Sequence, residues 1–252
     1  MNPRKGLTRY VPGDGVSAPK ARSQNELIAQ LPVSEFEDFC ATAELVACAV
    51  REEIFEPGEK ITRVLFPSTG MISIVSQLKD GTMLEAMTVG REGFLGLPLF
   101  HGLPATNLRA MCQIPGEFHE LKAADFSALV DRAPRLRMLL HRYSQFAHEV
   151  VAQTAACNSI HLLEQRCARW LLTTADAIAR TSFPLTQEFL SQMLGVRRPG
   201  VTMAIGGLVR QGFISHQYGK LSLLDIEGLS RVSCECFATL KERARAVLDQ
   251  DN

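Results

Sequence analysis

The pattern of apolar and polar residues is most informative in the last third of the chain. Leu190, Met193 and Leu194 recur at helical spacing, and Thr186 is a suitable N-cap for the helix that they predict. Gly195 ends this helix, because glycine tolerates the left-handed conformation that a tight turn requires. The pattern therefore predicts a helix followed at once by a sharp turn.

A second helix is predicted to begin at Arg197, Arg198 and Pro199, since proline is tolerated in a first helical turn. Arg198, Thr202 and Met203 point outward from this helix. Its apolar face consists of Val201, Ile205 and Leu208. An outward arginine at the start of a second helix is what the recognition of bases in the major groove requires.

The segment FISHQYGKLSLL that follows has two short apolar runs around a turn at residues 216–219, with Lys220 beside the turn. We expect a β-hairpin here. Helix, turn, helix and hairpin in this order make a winged helix-turn-helix, with Arg198 for bases and Arg197, His216 and Lys220 for phosphates. The residues predicted to contact DNA are Thr186, Gln187, Arg197, Arg198, Thr202, Met203, His216 and Lys220.

Between residues 51 and 121 the pattern changes to short apolar runs separated by turn residues. Many short strands with glycine at the turns predict an antiparallel β-roll. The predicted fold class is α+β, with an N-terminal antiparallel β-roll that is jelly-roll-like, a long helix and the winged helix-turn-helix. The expected divisions are a flexible basic arm (1–24), a sensory β-roll (25–133), a dimerisation helix (134–158) and a DNA-binding domain with a C-terminal helix (159–252).

The long helix predicted from Pro134 carries apolar or small residues at spacings of four and three, as in a coiled-coil seam. We expect a homodimer through this seam, since palindromic DNA demands two-fold symmetry. The alternative is that the stripe packs on the roll of its own chain. The seam residues are Leu136, Leu140, Tyr143, Ala147, Val150, Thr154 and Cys157.

The formal net charge of zero hides an asymmetry along the chain. The net charge is +4 over residues 1–24, −6 over 25–158 and +2 over 159–252, so that cations are in excess where phosphates are expected. The first residues have no apolar core like that of a signal peptide, and no run of apolar residues is long enough to cross a membrane. These features predict a cytoplasmic protein without a membrane partner.

Seven cysteines are scattered along the sequence without a C-x-x-C pair. This spacing disfavours both a disulfide framework and a structural zinc site, so no metal site is predicted. Cys234 and Cys236, on one predicted C-terminal helix, would point apart, which leaves redox sensing as a minor alternative. His141 and His148, seven residues apart, allow metal or haem binding, although surface histidines are the simpler interpretation. The cofactor is left open.

The whole pattern resembles the Crp/Fnr family of bacterial transcription regulators from about Asn25 to Asp225. The resemblance rests on EPGEKI, VLFPSTGMISIV and GREGFLG in the roll, and on LTQEFLSQMLGVRR and GLVRQGFIS in the DNA-binding half. It implies a homodimer on double-stranded DNA with an inverted repeat, in which a signal sensed in the roll reorients the DNA-binding domains. RNA polymerase is a further candidate partner.

Departures from the family's pattern bear on the effector. Where the family's cyclic AMP pocket has a glycine-glutamate pair for the ribose, this chain has Gly96 and Leu97, and the phosphate position falls near Thr106 and Asn107. A buried phosphate without a paired cation is costly, so cyclic AMP is not expected, although Arg109 is a candidate substitute. The residues assigned to an effector pocket are Arg91, Glu92, Leu97, Thr106, Asn107 and Arg109.

Two further alternatives concern the whole chain. A cupin-like enzyme, or a ligand-binding roll with a helical dimer handle, would need a histidine pair one residue apart plus further ligands, which His101 and His119 do not supply. Catalytic residues are therefore not predicted. The second alternative is a regulator controlled by its abundance alone, in which side chains would fill the interior of the roll. An iron–sulfur cluster in the family's usual place is excluded because the arm lacks cysteine.

Overall fold

The computed structural model describes residues 23–248, and all but two residues of the predicted basic arm lie outside them. By compactness the chain divides into two units. In its described part, the N-terminal unit comprises residues 23–72 and 89–144, and the C-terminal unit comprises residues 73–88 and 145–248. No helix in residues 23–248 is both long and apolar enough to span a membrane.

The first half of the chain forms the predicted antiparallel roll. Its strands make two sheets, in the orders β1-β7-β3 and β2-β6-β4-β5. The strands are β1 (Glu44–Cys48), β2 (Glu53–Phe55), β3 (Arg63–Pro67), β4 (Met71–Gln77), β5 (Met83–Val89), β6 (Arg109–Ile114) and β7 (Gly116–Lys122). The helices around them are α1 (Val33–Thr42), α2 (Leu97–Phe100), α3 (Ala123–Arg132) and the start of α4 (Pro134–Ile160).

Aromatic rings fill the interior of the N-terminal unit. The rings of Phe66 and Phe94 are stacked at 5.2 Å, and Tyr143 lies 5.5 Å from Phe94. Gly93 makes room for this packing, because a Cβ atom there would lie 2.3 Å from the Tyr143 ring. The centre of the roll is therefore occupied by the protein's own side chains.

The stripe predicted as a dimer seam on α4 is largely covered within one chain. Leu136, Leu140 and Tyr143 are completely buried. Ala147, Thr154 and Cys157 are also buried, and Val150 is half-buried. This burial favours the alternative in which the stripe packs on its own chain, and it leaves the opposite face of α4 exposed.

The C-terminal unit contains the predicted helices and hairpin together with features that the sequence pattern did not reveal. The elements are α5 (Leu163–Ile178), β8 (Ser182–Pro184), α6 (Gln187–Leu194), α7 (Arg198–Arg210), β9 (Ile214–Gln217), β10 (Lys220–Leu223), α8 (Ile226–Val232) and α9 (Cys236–Leu248). Strand β8 pairs with β10 as an unpredicted third strand of the hairpin sheet. The single closing helix expected after the hairpin was wrong, because the chain breaks at residues 233–235 into α8 and α9.

A buried carboxyl group joins the hairpin of β4 and β5 to α5 within the C-terminal unit. Ser73 donates to Glu85 Oε2 at 2.7 Å, and the indole of Trp170 donates to Oε1 at 2.8 Å. Burial raises the pKa of Glu85, while both hydrogen bonds and the nearby charge of Arg169 lower it to a smaller extent. The net effect is a pKa above the ordinary value of a glutamate side chain.

We expect Glu85→Gln to change how the stability of the C-terminal unit depends on pH. Because the pKa of Glu85 is raised in the folded state, its protonated side chain stabilises the fold at pH values below 4.5, the ordinary pKa of glutamate. This contribution is lost as the pH rises through the folded-state pKa. The amide keeps both hydrogen bonds but cannot ionise, so the variant should gain stability relative to the wild type as the pH rises from 4.5. The fluorescence of Trp170, the single tryptophan, reports the unfolding of this unit.

Glu227→Gln, which removes the same charge from an exposed position in α8, is the matched control for charge alone. If the difference in the free energy of unfolding between the wild type and Glu85→Gln were the same at every pH, the prediction would be contradicted.

Candidate nucleic-acid interface

The turn between α6 and α7 is built as the sequence predicts. Thr186 caps α6, and its hydroxyl oxygen accepts the backbone N–H of Phe189 at 3.2 Å. Gly195 ends α6 with φ +62°, a left-handed conformation in which glycine carries no strain. Arg197 is the N-cap of α7, and Pro199 lies in its first turn, where no helical N–H is needed.

The outward face of α7 is polar at its start and apolar further along. Arg197 and Arg198 are exposed, and the side chain of Met203 is 73% exposed. Thr202 donates to the side-chain oxygen of Gln187 at 2.7 Å, which joins α7 to the start of α6. Counting the N-caps Thr186 and Arg197, six of the predicted DNA contacts thus lie on these two helices, and the two arginine side chains are exposed to solvent.

The inner face of α7 packs closely against α5. Val201, Ile205 and Leu208 are buried as predicted. Gly207 permits this approach, because a Cβ atom there would lie 2.9 Å from a carboxylate oxygen of Glu164. The same carboxylate accepts a hydrogen bond from Gln211 at 2.9 Å, so the end of α7 is fixed to α5.

The hairpin of β9 and β10 turns at Tyr218 and Gly219, which both have positive φ, +51° and +73°. Lys220 and Tyr218 are exposed at its tip. His216 is half-buried, and its Nε2 atom donates to the backbone oxygen of Leu185 at 3.0 Å. Among the residues assigned to phosphate, His216 is therefore already engaged, whereas Lys220 is accessible. Tyr218 was not predicted, although its place before glycine in the turn was a usable signal.

The residues assigned to an effector pocket carry partners of their own. Arg91 forms an ion pair with Glu26 at 3.2 Å, and Arg109 forms one with Glu53. Glu92 accepts the backbone N–H of Gly90 at 2.9 Å. The remaining assigned residues, Leu97, Thr106 and Asn107, range from half-buried to exposed. The cation suggested as a phosphate ligand is thus already paired with a carboxylate.

The two candidate histidines of α4 and three of the buried cysteines show little sign of chemistry. His141 and His148 are exposed, and His141 packs edge-on against Phe100 at 4.7 Å. Burial raises the pKa of the Cys48 and Cys167 thiols to about 12, and it raises the pKa of Cys112 as well. Such thiols are inert at neutral pH.

A β-roll and a winged helix-turn-helix in one chain are typical of a class of DNA-binding regulators, and sequence comparison identifies the second of these domains. A profile of the Crp-like helix-turn-helix domain matches residues 165–232, from α5 to the end of α8. The transcriptional regulator LdrP of Thermus thermophilus is 27% identical over 190 residues, which cover 73% of this chain and 93% of that protein.

Solved structures share the fold. FixK2 from Bradyrhizobium japonicum has a TM-score of 0.64 at 18% identity, covering 77% of this chain and 98% of its own. A CRP-family transcriptional regulator from Thermus thermophilus has a TM-score of 0.62 at 22% identity, covering 74% and 95%. Residues 165–232 thus match the Crp-like helix-turn-helix domain, and the fold of the described chain is shared with the two solved structures.

Proposed function

We propose that the protein binds an inverted repeat in double-stranded DNA as a homodimer, with α7 in the major groove of each half-site. The exposed Arg198 in the first turn of α7 is the observation that carries this proposal, since a guanidinium can bind both major-groove acceptors of guanine. Pro199 has no acceptor for cytosine and Met203 offers only apolar contact, so the half-site should contain few other directly read bases. Arg197 and Lys220 are assigned to phosphates.

The exposed face of α4 is the surface that we assign to dimerisation. It lies beside and opposite to the buried stripe and becomes small and apolar toward the C-terminal end of the helix. Val151 is 40% exposed there, and Ala152 and Ala155 are exposed beside it. Small side chains let two helices approach closely, and two-fold symmetry would bring the same face of both chains together.

Selection from random duplexes tests the proposal. The expected product is an inverted repeat whose half-site centres are about 34 Å apart, one helical turn. A single unpaired half-site, or no enrichment, would overturn it. Contact with RNA polymerase belongs to the same proposal and is tested by transcription from a promoter that carries the selected site.

We expect cyclic AMP and cyclic GMP to leave both DNA affinity and thermal stability unchanged. Phe66, Phe94 and Tyr143 occupy the centre of the roll, and Arg109, the cation suggested for a phosphate, is already paired with Glu53, so burial of a phosphate there would be costly. A ligand at 100 times its Kd adds about 2.7 kcal/mol of stability, which shifts Tm by roughly 5 °C or more. A shift of this size with either nucleotide, lost in Arg109→Ala, would contradict the prediction.

A further inference from the structure

Four potential metal ligands converge in the C-terminal unit. Cys157 lies in the last turn of α4 and His161 follows that helix, while Cys234 lies between α8 and α9 and Cys236 begins α9. Their ligand atoms all lie within 4.8 Å of one another. The expectation that Cys234 and Cys236 lie on one helix and point apart was wrong, because the break between α8 and α9 turns both thiols toward the same point.

We propose that Cys157, His161, Cys234 and Cys236 bind one Zn²⁺ ion in a tetrahedral site. In such a site Zn–S is about 2.3 Å and Zn–N about 2.0–2.1 Å, so neighbouring ligand atoms are roughly 3.4–3.8 Å apart. The observed separations are 3.6 Å from Cys157 Sγ to Cys234 Sγ and 3.6 Å from Cys236 Sγ to His161 Nδ1. The four protein ligands complete the coordination, as in structural sites.

The same distances disfavour the other uses of clustered cysteines. A disulfide requires sulfur atoms about 2.05 Å apart, well below the separation of Cys157 and Cys234. An iron–sulfur cluster distributes its protein ligands over several iron atoms, which spreads them further than a single ion does. The compact group of Cys157, His161, Cys234 and Cys236 therefore fits one ion.

The surroundings orient the ligands as metal sites require. The second ring nitrogen of His161, Nε2, lies 3.2 Å from a carboxylate oxygen of Glu235, so this nitrogen carries the proton and Nδ1 is left as a ligand. The side-chain amide of Gln153 donates to Cys236 Sγ at 3.0 Å. A carboxylate behind a ligating histidine is the usual arrangement around protein-bound zinc.

The charge of the site is also balanced by its neighbours. Three thiolates around one divalent cation leave a net charge of −1, which is costly to bury without a counter-charge. Arg166 and Arg169, on α5, are both buried and interact electrostatically with Cys157. The ion would thus join the end of α4 to the start of α9 beside the helix on which α7 packs.

Metal analysis of the full chain, purified under reducing conditions without chelators, tests the proposal. The expected result is about one Zn²⁺ per chain. Replacement of Zn²⁺ by Co²⁺ should give the intense visible absorption of tetrahedral cobalt with thiolate ligands. This measurement on the wild type does not depend on whether a variant folds.

Cys157→Ser and Cys234→Ser should each lose the metal, whereas Cys167→Ser, which removes another buried thiol of the same unit, should retain it. Glu235→Gln tests the positioning role of the carboxylate, and the affinity for Zn²⁺ should fall by roughly 10- to 100-fold with the Co²⁺ spectrum kept.

Three results would overturn the proposal. The first is no stoichiometric binding of Zn²⁺ or Co²⁺ by the reduced wild type. The second is acid-labile sulfide, which indicates an iron–sulfur cluster. The third is a Cys157–Cys234 disulfide in place of metal, detected by thiol titration and mass spectrometry of the freshly purified protein.

Discussion

Replacing Arg198 with alanine is expected to abolish discrimination between the selected inverted repeat and a scrambled duplex. Each good bidentate contact to a base is worth about 1–3 kcal/mol, so affinity should fall roughly 5- to 150-fold for each half-site. The effect should be confined to the specific sequence, because phosphate contacts are made in every duplex. Titrations of both duplexes at several salt concentrations measure it.

Two variants separate base recognition from charge. Lys220→Ala should weaken binding to both duplexes alike, since Lys220 lies at the exposed tip of the hairpin. It should also reduce the slope of the log binding constant against log salt concentration by about 1. Arg231→Ala removes one exposed positive charge from α8 and is the matched control. If Arg198→Ala kept the wild-type preference for the selected repeat, another residue would read the bases.

The substitution Ala152→Glu is expected to convert the proposed homodimer to monomers and to remove tight DNA binding with it. Ala152 is exposed on the face of α4 assigned to dimerisation, where the variant would bring two like charges together near the two-fold axis. Each half-site would then be bound by a single chain, which loses the gain from simultaneous binding, 10²- to 10⁴-fold as an order of magnitude. Sedimentation and DNA titration measure the two effects on the same sample.

Ala128→Glu introduces the same side chain at an exposed position of α3 and should leave both measurements unchanged. Val150→Glu is a poorer test, because Val150 is half-buried within its own chain and its replacement disturbs the fold directly. A dimeric Ala152→Glu with full DNA affinity would assign the interface to another surface.

The winged helix-turn-helix could be predicted because its signals are local. The cap at Thr186, the left-handed Gly195 and the apolar face of α7 each act within a few residues, and each is confirmed. The antiparallel roll was recognisable for the same reason, since alternation and turn residues mark its strands.

Features that depend on distant parts of the chain were not predictable. The stripe on α4 has the same spacing whether it packs on its own chain or on a partner, so the pattern did not reveal that Leu136 and Leu140 are buried within one chain. The break between α8 and α9 contains neither glycine nor proline. The sequence around the break therefore gives no local signal that Cys157 and Cys234, 77 residues apart, lie close together.

The discontinuous C-terminal unit limits how this protein can be divided or recombined. A fragment starting at Gln145 would contain every helix of the DNA-binding half but not Ser73–Thr88, which belong to the same unit. It would lack Glu85, the acceptor for the indole N–H of Trp170. A chimaera that exchanges DNA-binding halves at a single crossover after α4 would likewise inherit Trp170 without its partner. Modular exchange between relatives therefore requires three crossovers, two of them within the roll.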